Sequence, residues 1–215
     1  MDDPRARTSP EHAVSGFSRA AGSPAARNGC GRYPASLACG SIPPPAPDIE
    51  QAIRTRRTHK AFGREPVERE VLDELFELAR WAPNHHGTNP WRFRVLGPGA
   101  LARLKRAAGP EQEAKLDRAP TLVVVSAALA GEPVQDEEDL HATAIAAYIV
   151  LLVAHVRGYA GYWRTPEVLR TPEGREAVGV GAGENVLGLL HLGPLRQESA
   201  VPDREQPGTY VTYLD

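Results

Sequence analysis

Along the chain the apolar positions fall into blocks of different period, and each period names an element. Asp48 suits a helix cap, because its carboxylate can accept first-turn N–H groups, and Ile49, Ala52 and Ile53 then form one apolar stripe. Pro66 closes a loop. After it Val67, Val71, Leu72, Leu75, Phe76, Leu78 and Ala79 follow a 3.6-residue period, which predicts an amphipathic helix stopped by Pro83. Trp91, Phe93 and Val95 alternate with Arg92 and Arg94, the period of a half-buried strand. Leu101, Leu104 and Ala108 suggest a short helix after Pro98-Gly99. The Val-rich run Thr121 to Ser126, bounded by Pro120, predicts a central strand. Leu140 to Val156 predicts a long helix, apolar almost all round and therefore buried on most sides. Tyr159 to Trp163 and Val186 to Leu192 predict two short strands, and Tyr210 to Leu214 a last one that closes the chain.

Helices and strands are interleaved without a regular βαβ repeat, and no internal repeat is found. The glycines at 179, 181 and 183 precede a strand instead of opening a helix, so they do not form a dinucleotide fingerprint. The pattern predicts an α+β fold, with a mixed or mostly antiparallel sheet flanked by helices.

Residues 1–47 break the pattern. They hold eight of the 20 prolines and both cysteines, Cys30 and Cys39, and no periodicity survives more than a few residues. Such a segment offers little apolar surface to offset its ordering entropy. Residues 1–47 are therefore expected to be a disordered Pro/Gly/Ala-rich extension or an over-extended start of the reading frame, and residues 48–215 a single domain. A net charge of -2 gives no global pull toward nucleic acid or anionic lipid. Two cysteines are too few for a disulfide scaffold or a Cys-rich zinc site. The N-terminus lacks the apolar core of a secretory signal. The run Leu140 to Val156 is shorter than the ~20 residues of a spanning helix and carries His141, Thr143, Tyr148 and His155. The expectation is a protein of the cytoplasm, with no membrane span and no nucleic-acid partner.

Three clusters carry candidate chemistry. Arg56-Arg57-Thr58-His59-Lys60 reads first as a solvated basic helix end facing the negative end of the helix dipole. The same planar arginine forks and hydroxyl also match a phosphate. Trp81-Ala82-Pro83-Asn84-His85-His86, followed by Asn89-Pro90-Trp91, is a polar and aromatic loop after a helix. Its adjacent histidines lack a third ligand at helical spacing, so no metal site is assigned. Tyr162-Trp163-Arg164-Thr165-Pro166 presents an arginine and a hydroxyl at a strand end, which reads equally as an anion contact or as a solvated edge. Together the clusters offer cations, amide and hydroxyl donors and flat apolar faces, a set that suits a phosphorylated planar heterocycle. No nucleophile motif or acid–base dyad of obvious spacing accompanies them.

From about Ile49 to Leu214 the chain resembles the nitroreductase family of flavin mononucleotide (FMN) oxidoreductases, and within it the small single-domain NAD(P)H nitroreductases. The resemblance rests on Arg56-Arg57-Thr58 with Phe62; Ala82-Pro83-Asn84-His85 with Pro90-Trp91-Arg92-Phe93; Gly161-Tyr162-Trp163-Arg164-Thr165; Gly183-Glu184 through Leu192-Gly193; and Val211-Thr212-Tyr213. It implies FMN as cofactor and NAD(P)H as reductant, in a nitroreductase-like fold that forms an intertwined homodimer with the flavin at the interface. By position it assigns Arg56, Arg57 and Thr58 to the phosphate, ribityl chain and ring edge. Trp81 and His85 match two further flavin contacts, and Trp163, Arg164 and Thr165 a third segment. The chain departs from many relatives at Asn89, where they carry Gln, and at Thr58, where they carry Ser. The implied reaction is ping-pong: hydride passes from NAD(P)H to the flavin, then to a small acceptor such as a nitroaromatic or quinone. No catalytic side chain is implied. Two other uses of the same fold stay open: a flavin dehydrogenase or dehalogenase with another substrate, and a flavin-binding or sensing protein without turnover.

Overall fold

A computed structural model describes residues 48–215. The extension expected over residues 1–47 lies outside the described residues. Helix α1 (Ile49–Thr55) begins where the Asp48 carboxylate accepts the Gln51 N–H at 2.7 Å. Of its apolar stripe only Ala52 is buried; Ile49 and Ile53 face away from this chain's core. Helix α2 (Arg69–Ala79) starts three residues after Pro66, buries Leu72, Leu75 and Ala79, and turns Leu78 outward.

Strands β1 (Trp91–Val95), β2 (Thr121–Ala128), β3 (Tyr159–Arg164) and β4 (Glu184–Pro194) form one sheet in the order β1-β2-β4-β3. Every pairing among these four strands is antiparallel, and an isolated parallel bridge joins Thr58 to Gly161 at the β3 edge. The β-branched run of β2 is buried almost throughout, as suits a central strand. The alternation expected in β1 fails at its end. Arg94 turns half inward and Val95 is exposed, because Glu184 and Ser126 draw the guanidinium in.

Helices α2 and α5 (Pro133–Val156) cover one face of the sheet, where Leu75, Val123, Val125, Val150, Leu190 and Leu192 meet. Helices α3 (Pro98–Ala108), α4 (Pro110–Leu116) and α6 (Pro172–Ala177) cover the other, with Leu104, Leu116, Val124 and Leu189 at its centre. Helix α5 has 24 residues, longer than the apolar run suggested. Its first turns are polar: Pro133 opens it, and Asp136 accepts the N–H groups of Ala130 and Gly131. By length and composition it could cross a membrane, yet Ala146, Ala147, Val150, Leu151 and Ala154 pack in the core. The expectation of burial on most sides holds for that face only, since Ile145 and Tyr148 are exposed on the opposite one. The last strand expected at Tyr210 to Leu214 does not form. A 3₁₀ turn at Pro207–Thr209 leads into an exposed segment that pairs with no strand among the described residues.

Candidate active site

The basic cluster begins where α1 stops. Arg56 caps the helix, its N–H bonded to Ala52 O at 2.9 Å. The chain then turns along β3: Thr58 bridges to Gly161, and the His59 N–H donates to Gly161 O at 3.1 Å. Residues 56–59 and the β3 segment are thereby brought to one edge of the sheet. Arg57 donates to the carbonyls of Arg54 at 2.6 Å and Arg56 at 2.9 Å, so this side chain does serve the helix end. The Arg56 guanidinium lies 5.5 Å from the Tyr148 ring centre, and its Nε is buried without a partner.

A second layer of contacts surrounds this edge. The Thr55 hydroxyl donates to Gln51 O at 2.7 Å, which leaves its oxygen to receive the His155 Nε2–H at 2.9 Å. Burial holds the His155 imidazole below its usual range, aided by the positive charge of His59, Arg56 and Arg57. The Ser199 hydroxyl donates to Thr58 O and lies 3.1 Å from Nδ1 of His59, a buried residue. Arg56, Arg57 and Thr58 then form one wall of a cavity of about 240 Å³, with Ser199, Pro202 and Arg204 opposite. Three guanidinium groups and two hydroxyls line it, and no carboxylate does. That donor set fits a phosphate ester, as does the unpartnered Arg56 Nε.

Trp163 faces α5, packed on the core, and its indole N–H donates to Leu187 O at 3.3 Å. A bulge between Leu187 and Gly188 makes this possible, since any side chain at Gly188 would run into the indole Nε1 and the Arg164 carbonyl. Arg164 and Tyr162 point to the opposite face of the sheet. There Arg164 Nη1 is buried without a partner, beside the fully buried His191. Burial, reinforced by Arg164 and Arg118, lowers the His191 imidazole to about 4, so it is neutral near pH 7. Thr165 lies exposed just past the strand.

The loop cluster sits elsewhere. Trp81 is 74% exposed, with the Arg80 guanidinium 5.8 Å from its ring centre. The His85 ring stacks on His86 at 3.9 Å, and its Nδ1 lies 2.6 Å from Glu138 near the start of α5. His86 and Asn89 hold left-handed backbone angles, φ 55° and 48°. The loop is pinned by Asn84 to Thr88 and by Thr88 to the buried Asp139 at 2.5 Å. Glu138 and His155 are separated by about 25 Å of helix at 1.5 Å per residue. One chain thus brings Arg56, Arg57, Thr58 and the strand β3 to one end of α5, and holds His85 at the other. Among the described residues no group of three His, Cys, Asp or Glu side chains is gathered that could hold a metal.

The comparisons with known proteins agree with this geometry. The model of the nitroreductase family matches residues 53–113, which span the basic cluster, the loop and β1. A Bacillus subtilis protein whose name places it among the NAD(P)H nitroreductases is 28% identical over 162 residues, covering 67% of this chain and 83% of its own. The chain is thus similar to the nitroreductase family over these residues and to that relative over two thirds of its length. A nitroreductase-like family protein from Bacillus cereus superposes with a TM-score of 0.71 at 24% identity, over 78% of this chain and 96% of its own. An FMN- and NADPH-dependent nitroreductase from Sphigopyxis sp. strain HMH does so with a TM-score of 0.66 at 15% identity, over 78% and 99%. At these identities the structures establish the nitroreductase-like fold.

The sequence pattern did not point to two residues of the cationic cavity, Ser199 and Arg204. Both lie in an exposed segment without periodicity, and the basic side chain in Pro202-Asp203-Arg204 was the only available signal.

Proposed function

We propose that this chain is an FMN-dependent oxidoreductase that passes hydride from NAD(P)H to a small oxidised acceptor, a nitroaromatic or a quinone, in a ping-pong cycle, and that it works as an intertwined homodimer. The observation that carries the reading is the cavity walled by Arg56, Arg57 and Arg204, cationic and without a carboxylate. In this reading its guanidinium groups and the Thr58 and Ser199 hydroxyls hold the phosphate. The segment Trp163, Arg164 and Thr165 supplies a third set of flavin contacts in this reading. When bound, FMN supplies the hydride chemistry itself. The side chains bind and orient it and shield it from water, and none is assigned as an obligatory acid or base.

His85 enters this site only from a second copy, because its contact with Glu138 holds it at the far end of α5, and the exposed Trp81 is assigned to the same second-copy contribution. Exposed apolar positions support that pairing. Ile49, Ile53, Ile145 and Tyr148 form a face on α1 and α5, and Tyr210, Val211, Tyr213 and Leu214 an extended arm. The purified protein is expected to be a yellow dimer whose absorbance near ~450 nm, the rough range of oxidised flavin, bleaches on anaerobic addition of NADH or NADPH. A yellow protein that does not bleach favours a binding or sensing role. A colourless one that cannot be reconstituted with FMN defeats the proposal.

A further inference from the structure

Two histidines stand behind the cationic cavity, outside its lining. His59 is buried and reaches the lining through Ser199, at 3.1 Å from its hydroxyl. His155 reaches it through Thr55, at 2.9 Å, one residue before Arg56. The charged groups around the pair come from three elements. Arg56, Arg57 and Lys60 lie on the segment after α1, Glu198 and Arg204 on the C-terminal segment, and the Tyr148 hydroxyl on α5 beside Arg56. Cations outnumber the single carboxylate.

We propose that anion binding in this cavity is coupled to proton uptake by His155, so that the chain grips its phosphate more tightly as the pH falls. The inference rests on the proposed FMN reading for the identity of the anion, but its physics depends only on the cavity. Without an anion, Arg56 and Arg57 oppose a positive charge on the His155 imidazole. A bound dianion offsets the arginines and favours that charge. By linkage, whatever raises proton affinity when the anion binds must raise anion affinity when the proton binds. The donor pattern does not resist this. The Ser199 hydroxyl gives its hydrogen to Thr58 O, so His59 Nδ1 is already the donor toward Ser199, and His155 Nε2 is already the donor toward Thr55. Protonation of His155 therefore adds charge without breaking either contact.

The test is calorimetric titration of the flavin-stripped full chain with FMN at pH 6.5 and 8.5, in buffers of different ionisation enthalpy. Net proton uptake and about three- to tenfold tighter binding at the lower pH are expected, within the limit of one decade per pH unit for one coupled proton. The phosphate's own titration near pH 6 has the opposite sign, since selecting the dianion releases protons. His155→Gln keeps a donor toward Thr55 without titrating, and is expected to remove most of the uptake while leaving affinity at pH 8.5 within twofold. FMN binding with no proton uptake and equal affinity at both pH values overturns the inference and leaves the flavin reading intact. If FMN does not bind, the flavin reading fails and sulfate, a dianion throughout this range, decides the inference. Greater thermal stabilisation by sulfate at pH 6.5 than at 8.5, abolished in His155→Gln, supports it, and equal stabilisation overturns it.

Discussion

The two sides of the sheet treat charge in opposite ways. On the β1 side, Arg94 meets Glu184 through two bonds of 2.9 and 2.6 Å, Ser126 donates to the same carboxylate at 2.5 Å, and the Gly181 N–H completes it at 3.2 Å. Burial alone would push the Glu184 carboxyl up, but these hydrogen bonds outweigh it and hold it below its usual range. On the β3 side Arg56 and Arg164 each bury a donor atom without a partner, and His191 buries two ring nitrogens likewise. Matched charge on the first side is architecture: it ties β1, β2 and β4 together. Unmatched donors on the second cost stability, which a fold tolerates where a ligand or reaction uses them.

A pair of variants separates the two roles. Arg94→Met leaves the Glu184 carboxylate largely buried and unpaired, at a cost of roughly 3 kcal/mol. That corresponds to a melting temperature lowered by about 6–12 °C for a domain of this size, with FMN affinity within twofold. Arg56→Ala is expected to do the reverse. It removes a charge-assisted phosphate contact worth about 1.5–3 kcal/mol, ten- to hundredfold in FMN affinity, while the melting temperature of the flavin-free protein moves by no more than ~2 °C. Thermal melts and FMN titrations on both variants settle it. If each variant lowered both quantities alike, the division into architecture and site would be wrong.

The division also marks what could be read from the sequence. All four strands of the sheet were legible: the Val run of β2 reflects burial directly, and the aromatic alternation of Trp91 and Phe93 marks β1 up to the point where Arg94 turns inward. Helices α4 and α6 were not: each opens on a proline followed by glutamates and contributes one or two buried positions, too few to set a period. The Tyr210 to Leu214 segment is made of strand-forming residues, yet residue type cannot say whether a partner strand lies beside it. Arg56 and Arg164 were visible as residue types. What placed Arg56 beside β3 was the Thr58–Gly161 bridge, and what left Arg164 unmatched was its side of the pleat. Glu184 was invisible as the partner of Arg94, since 90 residues separate them.

His191 sharpens the cost of the unmatched side. Its imidazole titrates at about 4 in the folded chain and near 6.5 when unfolded. As the pH falls below the unfolded value, the unfolded state takes up a proton that the folded state refuses. Stability is therefore lost from about pH 6.5 downward, until the folded imidazole also protonates near 4. Between pH 7 and 5 the loss from this group is about 2 kcal/mol. His191→Phe is expected to flatten the dependence of stability on pH over that window, as measured by urea denaturation at each pH. An unchanged slope in the variant would show that the buried imidazole is solvated or paired.

The loop at the other end of α5 gives the smallest effect and the finest test. Its left-handed His86 and Asn89 are held by contacts that converge on Thr88, which accepts from Asn84 Nδ2 at 2.8 Å and donates to the buried Asp139. Thr88→Val keeps the shape and removes both bonds. Asp139 then retains only Gln135 Nε2 at 3.2 Å. The expected cost is about 1.5 kcal/mol, the low end for a hydrogen bond to a charged group. Amide exchange at Gly87 and Asn89 should quicken by about tenfold, the equivalent of that energy in local opening, while FMN affinity falls by less than threefold because the phosphate contacts lie at the other end of the helix. A larger loss of affinity would mean that this matched loop, and not only the unmatched cations, sets the grip on the flavin.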